Sequence, residues 1–432
     1  MSPLILLMGL LALAYLGSLL AGDRRLRGFG LPSGAEYVAL GFLLGPAAFD
    51  FVDRSNLEIF DPIAHVALGW IALVLGLAFG VSLQLRKKRE RALHVAGGLV
   101  FACVTSLFSA AAVTLPLLVA LAGWTDLPFE SRTVIALGAG LACAETTRES
   151  VRWVTERYRA KGPLASAVAH LAEADDLIPV LLLAGCFALH VSADAPWKSA
   201  ALAPLFWGLV TIGVGLVFGV LATLMIGREL KVDETWGTLV GCSVLATGLM
   251  TRLGLSAVST LFAMGFALAL CSPHRQTLLA MLEPTERIVL HPVLLLAGAR
   301  VSLRLPGLPL GLLAGVVLVG RVFAKSFTGA AWQAVSKKAR KAGPLFGLGL
   351  LSSGTLSMTI GLACALRFPG VVGDAVLAAA AASIFFGEVV APYTLQLSLR
   401  AAGEMGEPAA VPAPAAPAPP ARAPAPPAST SA

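Results

Sequence analysis

Residues 163–190 read PLASAVAHLAEADDLIPVLLLAGCFALH. A helix needs about 20 mostly apolar residues to cross a bilayer, and this stretch is long enough. Yet it carries Glu173, Asp175 and Asp176 near its middle. Insertion scales put a charged side chain at a membrane helix centre at roughly 2.5–3.5 kcal/mol, so such residues are read as functional and need partners. Neighbouring helical residues project about 100° apart. One carboxylate of the Asp pair can then face a partner helix while the other faces a solvated cavity. Two close carboxylates repel, and burial disfavours their charged forms, so one of them is suited to hold a proton and exchange it for a small cation. Glu173 reads as a satellite nearer the surface.

The rest of the chain has the same character. Of its 432 residues, 57% are apolar and only 13% charged, with a mean hydropathy of +0.82. A soluble domain is about one quarter charged, which excludes an ordinary soluble enzyme or a disordered protein. Glycine is abundant (44) and aromatics are scarce (7%), as in closely packed membrane helices. Apolar stretches predict 13 spans, at 2–20, 35–50, 61–84, 94–122, 132–148, 163–190, 200–226, 236–251, 254–272, 285–300, 306–334, 343–367 and 371–400. Assigning loops alternately to the two sides puts 23 basic residues on one and 7 on the other. Positive loops stay cytoplasmic, so the N-terminus is expected outside and the C-terminus inside. The first apolar run is followed, not preceded, by Arg24, Arg25 and Arg27, so it reads as a retained span rather than a signal peptide. The net charge of +7 is explained by this topology, and no nucleic-acid partner is expected. Residues 1–405 are expected to form one membrane domain. Residues 406–432, rich in Ala and Pro, read as a disordered cytoplasmic tail.

Three further charges fall inside spans: Arg321 and Lys325 in the eleventh and Glu388 in the thirteenth. Six unpaired charges would cost on the order of 15–20 kcal/mol, beyond the net stability of most proteins. They must pair, titrate or face water. Lys325 lies one helical turn from Arg321 on the same face. Lys can lose its proton when buried and Arg cannot, so Lys325 is the better exchanger, with a carboxylate as its natural partner. Two spans are interrupted by small and polar residues: Glu145-Thr146-Thr147-Arg148-Glu149-Ser150 in the fifth, and Ser352-Ser353-Gly354-Thr355-Leu356-Ser357 in the twelfth. Broken helices at corresponding positions of two halves point to an ion site. The triplets 94–122, 132–148, 163–190 and 306–334, 343–367, 371–400 correspond, with inverted topology expected.

Other patterns carry less. His170, Glu173 and Asp176 can be drawn as a zinc site but share a helix face only loosely, and no structural metal or cofactor is expected. An intramembrane aspartyl protease normally takes its two Asp from two helices, and here they are adjacent, so no enzyme is expected. Cys103, Cys143, Cys186, Cys242, Cys271 and Cys364 read as small core residues. The pairs Gly41/Gly45, Gly76/Gly80 and Gly237/Gly241 read as close helix packing.

In this order and spacing, the chain resembles the cation–proton antiporter superfamily, in particular its bacterial sodium–proton and Kef-like branches. The motifs are Gly41-Phe42-Leu43-Leu44-Gly45-Pro46, Asp175-Asp176 after Ala174, Arg321 to Lys325 followed by Gly329, Gly354 in its polar setting, and Ala402-Gly403-Glu404 at the end of the domain. The resemblance implies a homodimer in the bacterial inner membrane, with a dimerisation part and a moving six-helix core. It implies that Asp176 binds cation (Na⁺, Li⁺ or K⁺) or proton, and that Asp175 pairs with Lys325. Thr146 and Thr147 would line the first helix break, and Ser353 and Gly354 the second. Arg321 is expected as a second charge partner, and Arg148, Glu145, Glu173 and Glu388 as modulators. One departure stands out: the family often has proline just after the first break motif, where this chain has Arg148. A positive charge there can weaken cation binding, or pair with Glu145, Glu149 or Glu173. It therefore keeps two alternatives open, an anion or organic-solute symporter on the same fold and a non-transporting membrane sensor.

Overall fold

The structure is a computed structural model. It describes residues 34–89, 92–190, 203–227, 230–303, 305, 308–335, 340, 343 and 345–406. The expected first span and the Ala/Pro tail beyond residue 406 lie outside these residues. Among the described residues the chain is helical with no strand. The helices are α1 Ala35–Leu44, α2 Arg54–Glu58, α3 Asp61–Arg89, α4 Ala92–Trp124, α5 Phe129–Ala142, α6 Arg148–Arg157, α7 Pro163–Ala174 and α8 Leu177–Ala188. They continue with α9 Ala203–Ile226, α10 Val232–Leu253, α11 Ala257–Cys271, α12 Arg275–Arg300, α13 Leu310–Val335, a 3₁₀ turn Phe346–Leu350, α14 Thr355–Arg367 and α15 Val371–Ala401. Each expected span after the first coincides with a helix or a broken helix. Among the described residues, five segments are long and apolar enough to cross a bilayer on that ground alone, lying in α3, α4, α9, α13 and α15. The others are shorter, interrupted or more charged.

The helices pack as two groups. One joins α1 to α12, α3 to α11 and α12, and α9 to α10 and α11. The other joins α4 to α5 and α13, α5 to α15, α15 to α14, α6 and the 3₁₀ turn, and α7 to α4 and α6; α2 packs on α12 of the first group, and α8 bridges the two, against α9 and α11 of the first and α4 and α5 of the second. Glycine sets the closest approach in the first group. A Cβ on Gly76 would lie 2.0 Å from the Phe262 carbonyl oxygen, and one on Gly265 would lie 2.0 Å from that of Leu73. The backbones of α3 and α11 therefore touch, as small residues permit in a membrane. Gly41 and Gly298 do the same between α1 and α12.

Three expectations change. Gly237 and Gly241 have nothing within 4 Å of a Cβ among the described residues. The buried face of α10 is Leu239, Cys242, Ala246 and Met250, and these glycines lie off it. Four cysteines are buried as core residues, but Cys103 is half-buried and Cys271 is exposed at the end of α11, and all six are free. The fifth span does not stop at 148: after the break the chain re-enters helix as α6. That helix buries Val151 and Val154 while exposing Arg152 and Glu156, so its charge reads as loop although its pattern is amphipathic.

Candidate functional site

The two broken spans cross. α5 ends at Ala142 and α6 starts at Arg148, leaving Cys143–Thr147 as an irregular segment. The 3₁₀ turn ends at Leu350 and α14 starts at Thr355. Hydroxyl side chains compete with the helical ladder for backbone groups, which favours non-helical chain here. The freed groups of one break satisfy those of the other. Thr147 N donates to Ser352 O (3.3 Å), and Ser352 Oγ donates to Thr147 O (3.4 Å). Thr146 Oγ1 donates to Leu350 O (3.2 Å). The crossing needs glycine, because a Cβ on Gly354 would lie 2.6 Å from Thr147 Cβ. On the far side a Cβ on Gly387 of α15 would meet Ser353 N at 2.6 Å. Ser353 Oγ lies 2.7 Å from Ser357 Oγ and 3.0 Å from Ser383 Oγ.

Charges are placed by the ends of these half-helices. Helix C-termini present unpaired carbonyls and partial negative charge, and N-termini the reverse. Arg321 and Lys325, four residues apart on α13, point one helix face at the crossing. Arg321, fully buried, binds no carboxylate among the described residues, unlike the charge partner expected. It donates to the carbonyls of Cys143, Glu145 (2.7 Å), Leu351 (3.4 Å) and Ser352 (2.6 Å), so one guanidinium joins both breaks. Lys325, also fully buried, spends its three protons on Ala144 O (2.7 Å), Thr146 Oγ1 (2.9 Å) and Asp175 Oδ2 (3.1 Å). Glu145 is not a partner of Arg148. Its Oε1 accepts from Gly354 N (2.7 Å), Ser357 N (2.9 Å) and Ser357 Oγ (2.8 Å), so it places a negative group at the N-terminus of α14. Thr147 Oγ1 donates to Glu149 (2.8 Å).

The twin aspartates sit where the hydrogen-bond ladder of a third helix lapses, both keeping helical backbone angles. The sixth span is not continuous: α7 ends at Ala174 and α8 starts at Leu177, with Asp175 and Asp176 between. The cause is Pro179. It has no N–H to offer the carbonyl four residues earlier, which is that of Asp175. Ser106 Oγ takes that carbonyl instead, at 3.0 Å. The two carboxylates meet different surroundings. Asp175 is 2% exposed; its Oδ2 meets Lys325, while its Oδ1 has no hydrogen-bond partner among the described residues. Asp176 is 7% exposed.

The remaining expected residues are spread out. Glu173 lies at the wall of a cavity of about 420 Å³, where it meets Arg86 Nη2 (2.5 Å) and Ser82 Oγ (2.8 Å) of α3. Arg148 lines the same cavity with His170. Glu388 is buried on α15, next to Gly387. Residues His170, Glu173 and Asp176 do not form a metal cluster among the described residues. Two acids, Asp175 and Glu388, each precede a proline by four residues, Pro179 in the first turn of α8 and Pro392 inside α15, in the third span of each repeat. The sequence carries this signal in its spacing.

A many-spanning helical protein whose two broken helices cross beside buried acids defines the class of secondary transporters. The chain belongs to the sodium/hydrogen exchanger family: the family model "Sodium/hydrogen exchanger, transmembrane" matches residues 10–401. Its fold is similar to that of the sodium proton antiporter MjNhaP1 from Methanocaldococcus jannaschii at pH 8, with a TM-score of 0.68 at 17% identity over 93% of this chain and 100% of the other. An electron-microscopy structure of the same antiporter gives a TM-score of 0.57 at 19% identity over 93% and 96% of the two chains. No curated protein sequence matches the chain.

Proposed function

We propose that the protein exchanges a monovalent cation, Na⁺, Li⁺ or K⁺, for protons by alternating access, with Asp176 as the shared site. The observation that carries this reading is the unequal pair: Asp175 is engaged by Lys325 in the interior, while Asp176 is the more exposed acid. A proton or a small cation can neutralise Asp176 in turn. Either also bears on Asp175 through the adjacent charge, so the Asp175–Lys325 pair is the element that breaks and re-forms. Thr146 and Thr147, with Ser353 and Gly354, line the crossing beside it. The proton gradient supplies the drive, at roughly 2.3 kcal/mol per charge per 100 mV of potential. The protein works in this reading as a homodimer in the bacterial inner membrane, with residues 1–405 as the transport domain and the C-terminus cytoplasmic.

Everted membrane vesicles with a pH-sensitive dye test it. Addition of Na⁺, Li⁺ or K⁺ releases protons from vesicles holding the wild type and not from those holding Asp176→Ala. Silence of well-folded wild type to all three cations would overturn antiport. One observation favours a second reading. Arg148 and Arg86 both line the cavity with Glu173, which pairs with Arg86, so two cations face one acid there, and an anion or organic-solute symporter on this fold would show cation-dependent solute uptake instead.

A further inference from the structure

The helix that leads to the twin aspartates, α7, is capped from the far end of the domain. A helix leaves its first N–H groups unpaired, and a Ser, Thr, Asp or Asn just before it commonly supplies an acceptor. Before α7 that position is Gly162, which has no side chain to offer. The acceptor is Glu404. Its Oε1 accepts from Leu164 N (2.7 Å) and its Oε2 from Ala165 N (2.8 Å), so the whole carboxylate sits on the positive end of the α7 dipole. Glycine at 162 admits it, since a Cβ there would lie 2.2 Å from Glu404 Cδ. The end of α15 aims it. Gly403, at φ +69°, donates its N–H to Arg400 O (3.0 Å), and Glu404 N donates to Leu399 O (3.0 Å), the pairing of a Schellman motif. The chain then runs beside the turn between α6 and α7: Lys161 N donates to Glu404 O (3.3 Å) and Gly406 N to Tyr158 O (3.0 Å).

We propose that Glu404 is a positioning residue: by capping α7 from the end of α15, it fixes α7 along its axis and so holds Asp175 against Lys325. A cap in cis would stabilise α7 as well. What only the distant acid adds is a fixed position of α7 relative to α15. That helix is itself fixed to the second break, because Gly387 abuts Ser353 N and Ser398 Oγ donates to Leu345 O (2.8 Å) just before the 3₁₀ turn. At its other end α7 stops at Ala174, and Asp175 follows. Asp175 Oδ2 stands 3.1 Å from Lys325 Nζ, so a slip of α7 by about 0.5 Å takes the pair beyond hydrogen-bond distance. The third spans of the two repeats are thus tied at Glu404, and the Asp175–Lys325 pair reads that tie. The consequence for exchange rests on the antiport reading, in which this pair breaks and re-forms; the tie itself does not.

The test follows the thermal unfolding midpoint of the full-length protein in detergent. Glu404→Ala lowers it, because α7 loses its cap. Adding Gly162→Asp supplies a cap in cis and recovers most of the loss, without restoring the tie to α15. Lys325→Met is then placed in the wild type and in this recapped double variant. α7 has 12 residues and is about 18 Å long, and changes that far apart with no shared partner are additive. The proposal expects the opposite: Lys325→Met lowers the midpoint of the recapped variant by about half as much as that of wild type, or less, because its pair with Asp175 is already slack. Equal falls in the two backgrounds would overturn the proposal and leave Glu404 as a cap alone. If the recapped variant does not fold, Glu404→Gln takes its place, since an amide keeps one acceptor oxygen and cannot serve both N–H groups; equal falls there would overturn the proposal in the same way. Cation-driven proton release from everted vesicles, measured on the same variants, separates this claim from antiport. A higher half-saturating cation concentration in the recapped variant than in wild type is expected. Release with wild-type half-saturation and additive midpoints leaves antiport standing and removes the positioning role. Silence of wild type with non-additive midpoints does the reverse.

Discussion

Lys325 ties Asp175 to the first helix break. A buried ion pair gains little over an apolar pair of the same shape, but removing one partner strands the other, at about 3–5 kcal/mol. Lys325→Met is therefore expected to lower the unfolding midpoint sharply in detergent, because Asp175 loses the only hydrogen bond to its carboxylate among the described residues. Adding Asp175→Asn to Lys325→Met should recover most of the loss; a double variant no more stable than the single one would contradict this account. Glu145 obeys a different rule. Glu145→Ala leaves Gly354 N and Ser357 N without their acceptor, and each buried unsatisfied donor costs about 1–3 kcal/mol, which denaturant unfolding would register. Asp175, Lys325 and Arg321 were legible because charges stand out in apolar runs. The partners of Arg321 were not, because they are main-chain carbonyls and any residue type supplies one. Nor was the role of Glu145, since nothing in the sequence tells which half-helix end an acid two breaks away will cap.

At the scale of elements, each interruption has a chemical cause. The crossing of the two breaks requires Gly354 and Gly387, and Gly354→Ala should cost about 1–3 kcal/mol by forcing Thr147 aside, read as a fall in thermal midpoint. The interruption at Asp175 requires Pro179. Pro179→Ala returns an N–H to the Asp175 carbonyl and is expected to stabilise the helix by up to about 3 kcal/mol while slowing exchange. A variant that is both less stable and equally fast would contradict the assignment. Both broken spans were readable from their runs of hydroxyls and glycine. The third interruption was masked by the apolar pattern of residues 163–190, which continues across it, although Pro179 was in plain view. Residue spacing also misled at Gly237 and Gly241: small residues four apart give a flat helix face, but spacing alone does not say whether that face meets protein.

For the whole molecule, the division into two packing groups is the feature that alternating access requires. Polar ties join the groups at different places: Arg86 of α3 with Glu173 of α7, Arg54 of α2 with Asp374 of α15, and Arg367 of α14 with the Gly254 and His190 carbonyls. Ser82 Oγ lies 2.8 Å from Glu173 Oε2, so Ser82→Cys with Glu173→Cys, in a background without the six native cysteines and bridged by a reducible bifunctional thiol reagent that makes up the lost glutamate reach, ties α3 to α7. Bridging should stop exchange and reductant restore it; exchange at an unchanged rate in the bridged form would argue that the groups do not slide along this surface. The order of spans after the first was legible because lipid imposes length on apolar runs. How the helices sort into two groups was not, since that depends on which apolar face meets which.

The central claim is that one carboxylate, Asp176, serves both ions. The most direct measurement is cation uptake into proteoliposomes under an imposed pH gradient, comparing wild type, Asp176→Asn and Asp175→Asn with Lys325→Met. The account predicts gradient-driven uptake in wild type, none in Asp176→Asn, and slower but measurable uptake in the double variant, where the second acid and its partner are both neutral. Uptake in Asp176→Asn at the wild-type rate would contradict it.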